Sequence, residues 1–104
     1  MQPAVMPPFG REDPKPISVM VVDDSAVVRG VIGRLIETAP GMSVTASVAS
    51  AAMALNALQR QRIDVAVLDI EMPEMDGITA LPLLLAAQPS LKIVARTSAR
   101  RSAR

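Results

Sequence analysis

The strongest constraint on the fold is an alternation of short β-forming runs with longer segments of helical character. Apolar runs begin at Ile17 and Ile63 and suit strands that are buried on both faces of a parallel sheet. The predicted strands are residues 17–22, 42–48, 63–68 and 91–95. The predicted helices lie between them, beginning after Ser25, Ser50 and Thr79. This β-α-β-α-β-α-β order predicts an α/β fold with a parallel sheet and crossover helices.

Capping and breaking residues mark the ends of these predicted helices. Ser25 is a good N-cap for the first helix, and the Pro-Gly pair at 40–41 ends it. If Thr79 caps the third helix, Pro82 falls in the first turn, where its missing N–H costs no intrahelical bond. Apolar and polar residues alternate through 42–48, which predicts an edge strand with one wetter face.

Acidic side chains follow two of the predicted strands. Asp23 and Asp24 come directly after the first strand, and Asp69 comes after the third. In open parallel sheets the functional site lies outside the carboxyl ends of the strands. Three carboxylates gathered there would repel one another, and a hard divalent cation relieves that repulsion. The residue types alone leave two interpretations open: Mg²⁺-dependent phosphate chemistry, or an acidic edge with a structural role.

The absence of certain residue types narrows the chemistry further. The chain has no histidine and no cysteine, which excludes a Ser-His-Asp triad, a histidine general base and a thiolate or imidazole zinc site. Oxygen-only ligands favour Mg²⁺ or a similar ion. Phe9 is the single aromatic residue, so a platform for stacking nucleic-acid bases is not available.

Two motifs resemble those of one signalling family. Val-Val-Asp-Asp-Ser at 21–25 resembles the first-strand motif of response-regulator receiver domains, and Leu-Asp-Ile-Glu-Met-Pro-Glu-Met-Asp-Gly at 68–77 resembles their phosphorylation loop. The resemblance covers residues 17–98 and implies a flavodoxin-like doubly wound sheet with strand order 2-1-3-4. The segments 23–29, 37–40 and 69–73 look like the receiver of the chemotaxis protein-glutamate methylesterase (CheB).

The resemblance also implies roles for individual residues. Asp69 would accept a phosphoryl group from a histidine kinase. Mg²⁺ would be held by the side chains of Asp24 and Asp69 and by the backbone carbonyl of Glu71, and Asp23 would act through metal-bound water. Thr97 falls where the family has a hydroxyl that hydrogen-bonds the phosphoryl group and signals the switch.

The sequence departs from the receiver pattern at its end. The fifth strand, its lysine and the fifth helix of a complete receiver have no counterpart, so the chain resembles a C-terminally truncated domain. We therefore expect an exposed edge on the fourth strand and an uncovered apolar face on the first helix, and self-association through them. Arg96 stands where the family has a small or apolar residue.

The two ends of the chain differ from its body. Residues 1–16 hold five of the nine prolines and are predicted to be a disordered leader. Residues 99–104 are predicted to be a basic tail or the start of a fourth helix. Residues 92–104 carry five basic and no acidic side chains, which favours a solvated end over a nucleic-acid contact. No apolar run is long enough to insert into a membrane, and we expect a cytoplasmic protein.

Three other functions compete with a phospho-acceptor. The first is an interaction module that has lost phosphorylation, which the missing lysine favours and the acidic cluster disfavours. The second is a methylesterase, although the chain without histidine cannot run the esterase triad itself and is expected not to be an enzyme. The third is an Mg²⁺-dependent phosphohydrolase with an aspartyl nucleophile, which Glu71 disfavours because an Asp-x-Asp motif is typical of that class.

Overall fold

The computed structural model describes residues 15–72 and 77–97, with the side chains of residues 77 and 78 excepted. Most of the predicted leader (1–16), the basic tail (99–104) and the centre of the loop between the third strand and third helix lie outside these residues. The expectations for the leader and the tail therefore stay predictions.

Four parallel strands form one sheet in the order β2-β1-β3-β4, as the sequence predicts. The strands are β1 Ile17–Val22, β2 Met42–Val48, β3 Val65–Asp69 and β4 Lys92–Arg96. The helices are α1 Ala26–Glu37, α2 Ala51–Arg60 and α3 Gly77–Ala87. The flavodoxin-like fold class is confirmed, and the described residues contain neither a fifth strand nor a fourth helix.

Three predicted boundaries are wrong. Both β3 and β4 begin later than expected, because Ile63 and Leu91 are buried in the core without belonging to the strand ladder. The third helix begins at Gly77 and not after Thr79, so Pro82 lies inside α3 and removes one intrahelical hydrogen bond. Burial of Leu84 on the same helix compensates for that loss.

Two serine caps start the first two helices as predicted. The Ser25 hydroxyl accepts a hydrogen bond from the N–H of Val28 at 3.2 Å, and the Ser50 hydroxyl accepts one from the N–H of Met53 at 3.2 Å. Each bond satisfies a donor that the first helical turn leaves without a partner. The cap at Ser25 also turns the chain immediately after the acidic pair that follows β1.

The core lies on one face of the sheet, beneath α2 and α3. Its larger members come from the sheet, from the two helices and from the loops beside them, and they are Met20, Val22, Leu58, Ile63, Leu68, Met72, Leu84 and Leu91. On the other face, α1 packs against β1 and β2. None of the α1 residues, all of which the structure describes, is buried. The two faces of the sheet are therefore covered unequally.

An apolar stripe runs along the outer side of α1. Val27, Val31 and Leu35 are spaced by four residues, so they lie on one side of the helix, and they are 77%, 48% and 65% exposed. Val94 on β4 is 53% exposed. The exposed surface expected from the sequence is thus present on both α1 and β4.

The amide of Gln88 ties the end of α3 to the elements beside it. Its nitrogen donates to the carbonyl oxygens of Leu58 at 2.8 Å and Gln61 at 2.7 Å, and its oxygen accepts from the N–H of Ile63 at 3.1 Å. The three bonds satisfy backbone groups at the end of α2 and before β3.

Among the helices in the described part of the chain, none has both the length and the apolarity that crossing a bilayer requires.

We expect Gln88→Ala to lower the free energy of unfolding by about 2 kcal/mol, because it strips partners from three backbone groups at once. Urea unfolding followed by circular dichroism measures this change. Gln59→Ala is the matched control, since Gln59 is exposed on α2 and should change stability by less than about 0.5 kcal/mol. Equal effects of the two substitutions would contradict the structural role of Gln88.

Candidate functional site

The register between β1 and β3 brings acidic residues together at the carboxyl edge of the sheet. Val22 is the partner of Leu68, so Asp23, just after β1, and Asp69, the last residue of β3, come next along the two chains. Asp23, Asp24 and Asp69 each offer a carboxylate oxygen, and these oxygens lie within 4.8 Å of one another. Asp23 and Asp69 are buried, while Asp24 is less so. The structure thus assembles the three carboxylates that the sequence predicts.

Backbone N–H groups fix the orientation of the two buried carboxylates. Asp23 Oδ1 accepts a hydrogen bond from the N–H of Ser25 at 2.8 Å, and Asp69 Oδ1 accepts one from the N–H of Glu71 at 3.0 Å. In each case the acceptor lies two residues before the donor, which is an Asx-turn. The side chain of Arg29 donates to the backbone carbonyl of Asp23 at 2.7 Å. The carboxylates are therefore held by the turns that leave β1 and β3.

Arg96 also belongs to the site, although sequence reasoning did not include it among the site residues. It is the register partner of Asp69 across β3 and β4. Its Nη1 lies 2.6 Å from Asp23 Oδ2 and 4.0 Å from Asp69 Oδ2. The Arg96 side chain is 29% exposed and that of Asp23 is 2% exposed, so water screens this ion pair only weakly. The feature of the sequence that could have placed Arg96 in the site is its position at the end of a predicted strand, one residue before Thr97.

Thr97 and Glu71 lie at the same edge of the sheet. Thr97 follows β4 directly and is exposed, and Glu71 follows Asp69 by two residues and is partly buried. No hydrogen bond joins Thr97 to Asp69 among the described residues. The roles predicted for the Thr97 hydroxyl and for the Glu71 carbonyl stay predictions.

The donor set at this edge fits a hard divalent cation. Among the described residues, the guanidinium of Arg96 pairs with a carboxylate of the cluster and that of Arg29 binds the Asp23 backbone carbonyl, so the three carboxylates outnumber the cations beside them. Asp69 Oδ2 is buried and has no hydrogen-bond partner in the described structure. A buried carboxylate oxygen without a donor is costly unless a cation or another group satisfies it. Oxygen ligands of this kind suit Mg²⁺.

A parallel sheet in the order 2-1-3-4 with an acidic cluster at its carboxyl edge defines the receiver class of signalling domains. The family model described as "Response regulator receiver domain" matches residues 19–104, and the chain belongs to that family.

Related proteins indicate which type of receiver domain the chain resembles. The chain is 60% identical over 87 residues to a protein-glutamate methylesterase/protein-glutamine glutaminase of group 2 operon from Rhodospirillum centenum. The match covers 84% of this chain and 22% of the relative, so the chain spans about a fifth of the relative's length. The similarity confirms a receiver domain of the chemotaxis methylesterase type.

Solved structures agree with this assignment. The response regulator domain of Thermotoga maritima CheB superposes with a TM-score of 0.70 at 35% identity, covering 78% of this chain and 61% of that one. The CheX-CheY-BeF3-Mg+2 complex from Borrelia burgdorferi gives a TM-score of 0.71 at 28% identity, covering 80% of this chain and 63% of that one.

Two substitutions in the cluster should change stability in opposite directions when no divalent cation is present. Asp69→Asn removes a like charge and a buried unsatisfied oxygen, and should raise the free energy of unfolding by about 1–2 kcal/mol. Asp23→Asn breaks the ion pair with Arg96 and should lower it by about 2 kcal/mol or more. Urea unfolding in EDTA measures both. Destabilisation by Asp69→Asn would contradict the excess of negative charge.

Proposed function

We propose that this domain accepts a phosphoryl group on Asp69 from a phosphohistidine of a histidine kinase, in the cytoplasm and within a chemotaxis pathway. The observation that carries the proposal is the placement of Asp69 at the end of β3, with a carboxylate oxygen within 4.8 Å of those of Asp23 and Asp24. Membership of the receiver family supports the same function.

The transfer is a substitution at phosphorus. A carboxylate oxygen of Asp69 forms a bond to phosphorus while the bond from phosphorus to the donor's imidazole nitrogen breaks, and the electron pair leaves on that nitrogen. A carboxylate is a competent nucleophile for phosphoryl groups. The N–H of Glu71 holds Asp69 Oδ1 at 3.0 Å, which fixes the direction of the nucleophile.

We propose that Mg²⁺ is held by the side chains of Asp24 and Asp69 and by the backbone carbonyl of Glu71, with Asp23 acting through water. When bound, the ion would screen the charge between the carboxylates and the incoming phosphoryl group. The receiver-type relative from Borrelia burgdorferi was solved with beryllofluoride and magnesium. Thr97, one residue beyond β4, is proposed to donate its hydroxyl to the phosphoryl group.

The names of the relatives suggest an output for the longer protein. The Rhodospirillum centenum relative is a methylesterase and glutaminase, and this chain matches 22% of its length. We propose that phosphorylation of Asp69 regulates an attached protein-glutamate methylesterase. The chain itself has no histidine, so the regulated activity would belong to another part of that protein.

We expect the intact chain to bind beryllofluoride saturably when Mg²⁺ is present, and Asp69→Asn to abolish that binding. Two-dimensional NMR of the backbone amides measures it, with Glu71 and Thr97 as reporters. Asp64→Asn is the matched control, because Asp64 precedes β3 at the opposite end of the sheet and should leave binding unchanged. A folded chain that binds no beryllofluoride would contradict the proposal.

One observation favours a second function, a protein-interaction module that no longer takes up phosphate. The guanidinium of Arg96 already pairs with Asp23, and the Asp69 side chain is fully buried. A domain whose acidic site is closed in this way would keep the surface of a receiver but would not accept a phosphoryl group. The same beryllofluoride titration separates the two functions, since a module of this kind would remain folded and unresponsive.

We also propose that two copies of the chain associate through the stripe of Val27, Val31 and Leu35 on α1 and the free edge of β4. Burying an exposed apolar surface is favourable in proportion to the area removed from water. The Val94 side chain on β4 is exposed as well, and among the described residues β4 has β3 as its single neighbouring strand.

Sedimentation velocity should give a coefficient that rises with concentration for the wild-type chain and less so for Leu35→Glu, because the substitution places a charge in the stripe. Met53→Glu is the control, since Met53 is 50% exposed on α2 and lies outside the stripe. A wild-type chain that remains monomeric at every concentration would contradict self-association.

A further inference from the structure

The backbone, and not a chance rotamer, places Arg96 at the acidic site. Arg96 is the register partner of Asp69, and its carbonyl accepts a hydrogen bond from the N–H of Ile70 at 3.0 Å. Because side chains alternate along a strand, this register puts Arg96 and Asp69 on the same face of the sheet. The Arg96 side chain then reaches across β3 to the residue that follows β1.

The contact made by Arg96 uses the carboxylate oxygen that is otherwise available to a cation. Asp23 Oδ1 is taken by the N–H of Ser25, and Asp23 Oδ2 is taken by the guanidinium at 2.6 Å. The same guanidinium nitrogen lies 4.0 Å from Asp69 Oδ2. It therefore stands between the two buried carboxylates and partly neutralises both.

We propose that Arg96 is the resident counter-cation of this site and that a divalent cation binds by exchange with it. A divalent cation among the three carboxylates would stand within a few ångströms of the guanidinium, and two positive charges at that distance repel each other strongly in a buried site. The guanidinium must therefore leave Asp23 Oδ2 when the ion binds. The inference rests on the proposed function, because it concerns the same acidic site.

Arg29 is not the counter-cation that a divalent cation displaces, although it also lies beside Asp23. Its guanidinium donates to the backbone carbonyl of Asp23 at 2.7 Å and leaves the carboxylate oxygens untouched. Exchange is therefore specific to Arg96. The consequence is that the negative charge of the metal-free site is already partly compensated, and that the affinity for divalent cations is lower than three carboxylates alone would give.

The test is a titration of the intact chain with Mn²⁺, followed by calorimetry and by the electron paramagnetic resonance of free Mn²⁺. Arg96→Gln should bind Mn²⁺ about ten- to hundredfold more tightly than the wild type, because a charged hydrogen bond no longer has to be broken. Arg62→Gln is the matched control. It removes the same charge from an exposed ion pair with Asp64 and should change the affinity by less than about twofold.

A second measurement uses the wild-type chain alone, and so does not depend on the folding of Arg96→Gln. In side-chain NMR, the Nε–H signal of Arg96 should move saturably as Mg²⁺ is added, while that of Arg62 should not. The midpoint should coincide with that of the backbone amides at Asp24 and Glu71.

Each failure has a distinct meaning. Equal or weaker Mn²⁺ binding by Arg96→Gln, with a stationary Arg96 signal, would overturn the exchange. The proposed function would stand in that case, as long as the wild-type chain binds beryllofluoride and Asp69→Asn does not. Absence of Mn²⁺ binding by every folded variant, Arg96→Gln included, would overturn the exchange and the metal dependence of the proposed function together.

Discussion

The parallel pairing of β1 with β3 gathers negative charge that the domain must then compensate. Val22 and Leu68 are register partners, so the carboxylates of the residues that follow them lie close together. Two backbone N–H groups, donated by Ser25 and Glu71, stabilise one oxygen of each buried carboxylate. The remaining oxygens need a cation, and this need links the acidic residues of β1 and β3 to Arg96 on β4.

Most of the fold could be predicted because the local signals agree with the tertiary structure. The strands at 17–22 and 42–48 have the predicted bounds, since their apolar or alternating patterns match their central and edge positions. Patterns that count apolar residues cannot separate a strand residue from a core residue just outside the strand. Ile63 and Leu91 were misassigned for this reason.

The acidic site was predictable in part, for a related reason. Asp23 and Asp24 follow β1 and Asp69 is the last residue of β3, so sequence order and the topology of parallel sheets are enough to bring them together. The position of Arg96 depends on the register of β3 against β4, which the sequence does not specify at single-residue precision. The contact of Arg96 with the acidic site could therefore be recognised only from the structure, whereas its unusual residue type is evident from the sequence.

The ion pair between Asp23 and Arg96 has a consequence for folding. It joins residues that are 73 positions apart, one after the first strand and the other at the end of the last. Between them lies β3, so the pair can close only when β1, β3 and β4 are all aligned. Contacts of such long range form late and require most of the chain to be ordered. The site is thus a product of the completed sheet, and a partly folded chain would carry its carboxylates without their counter-ion.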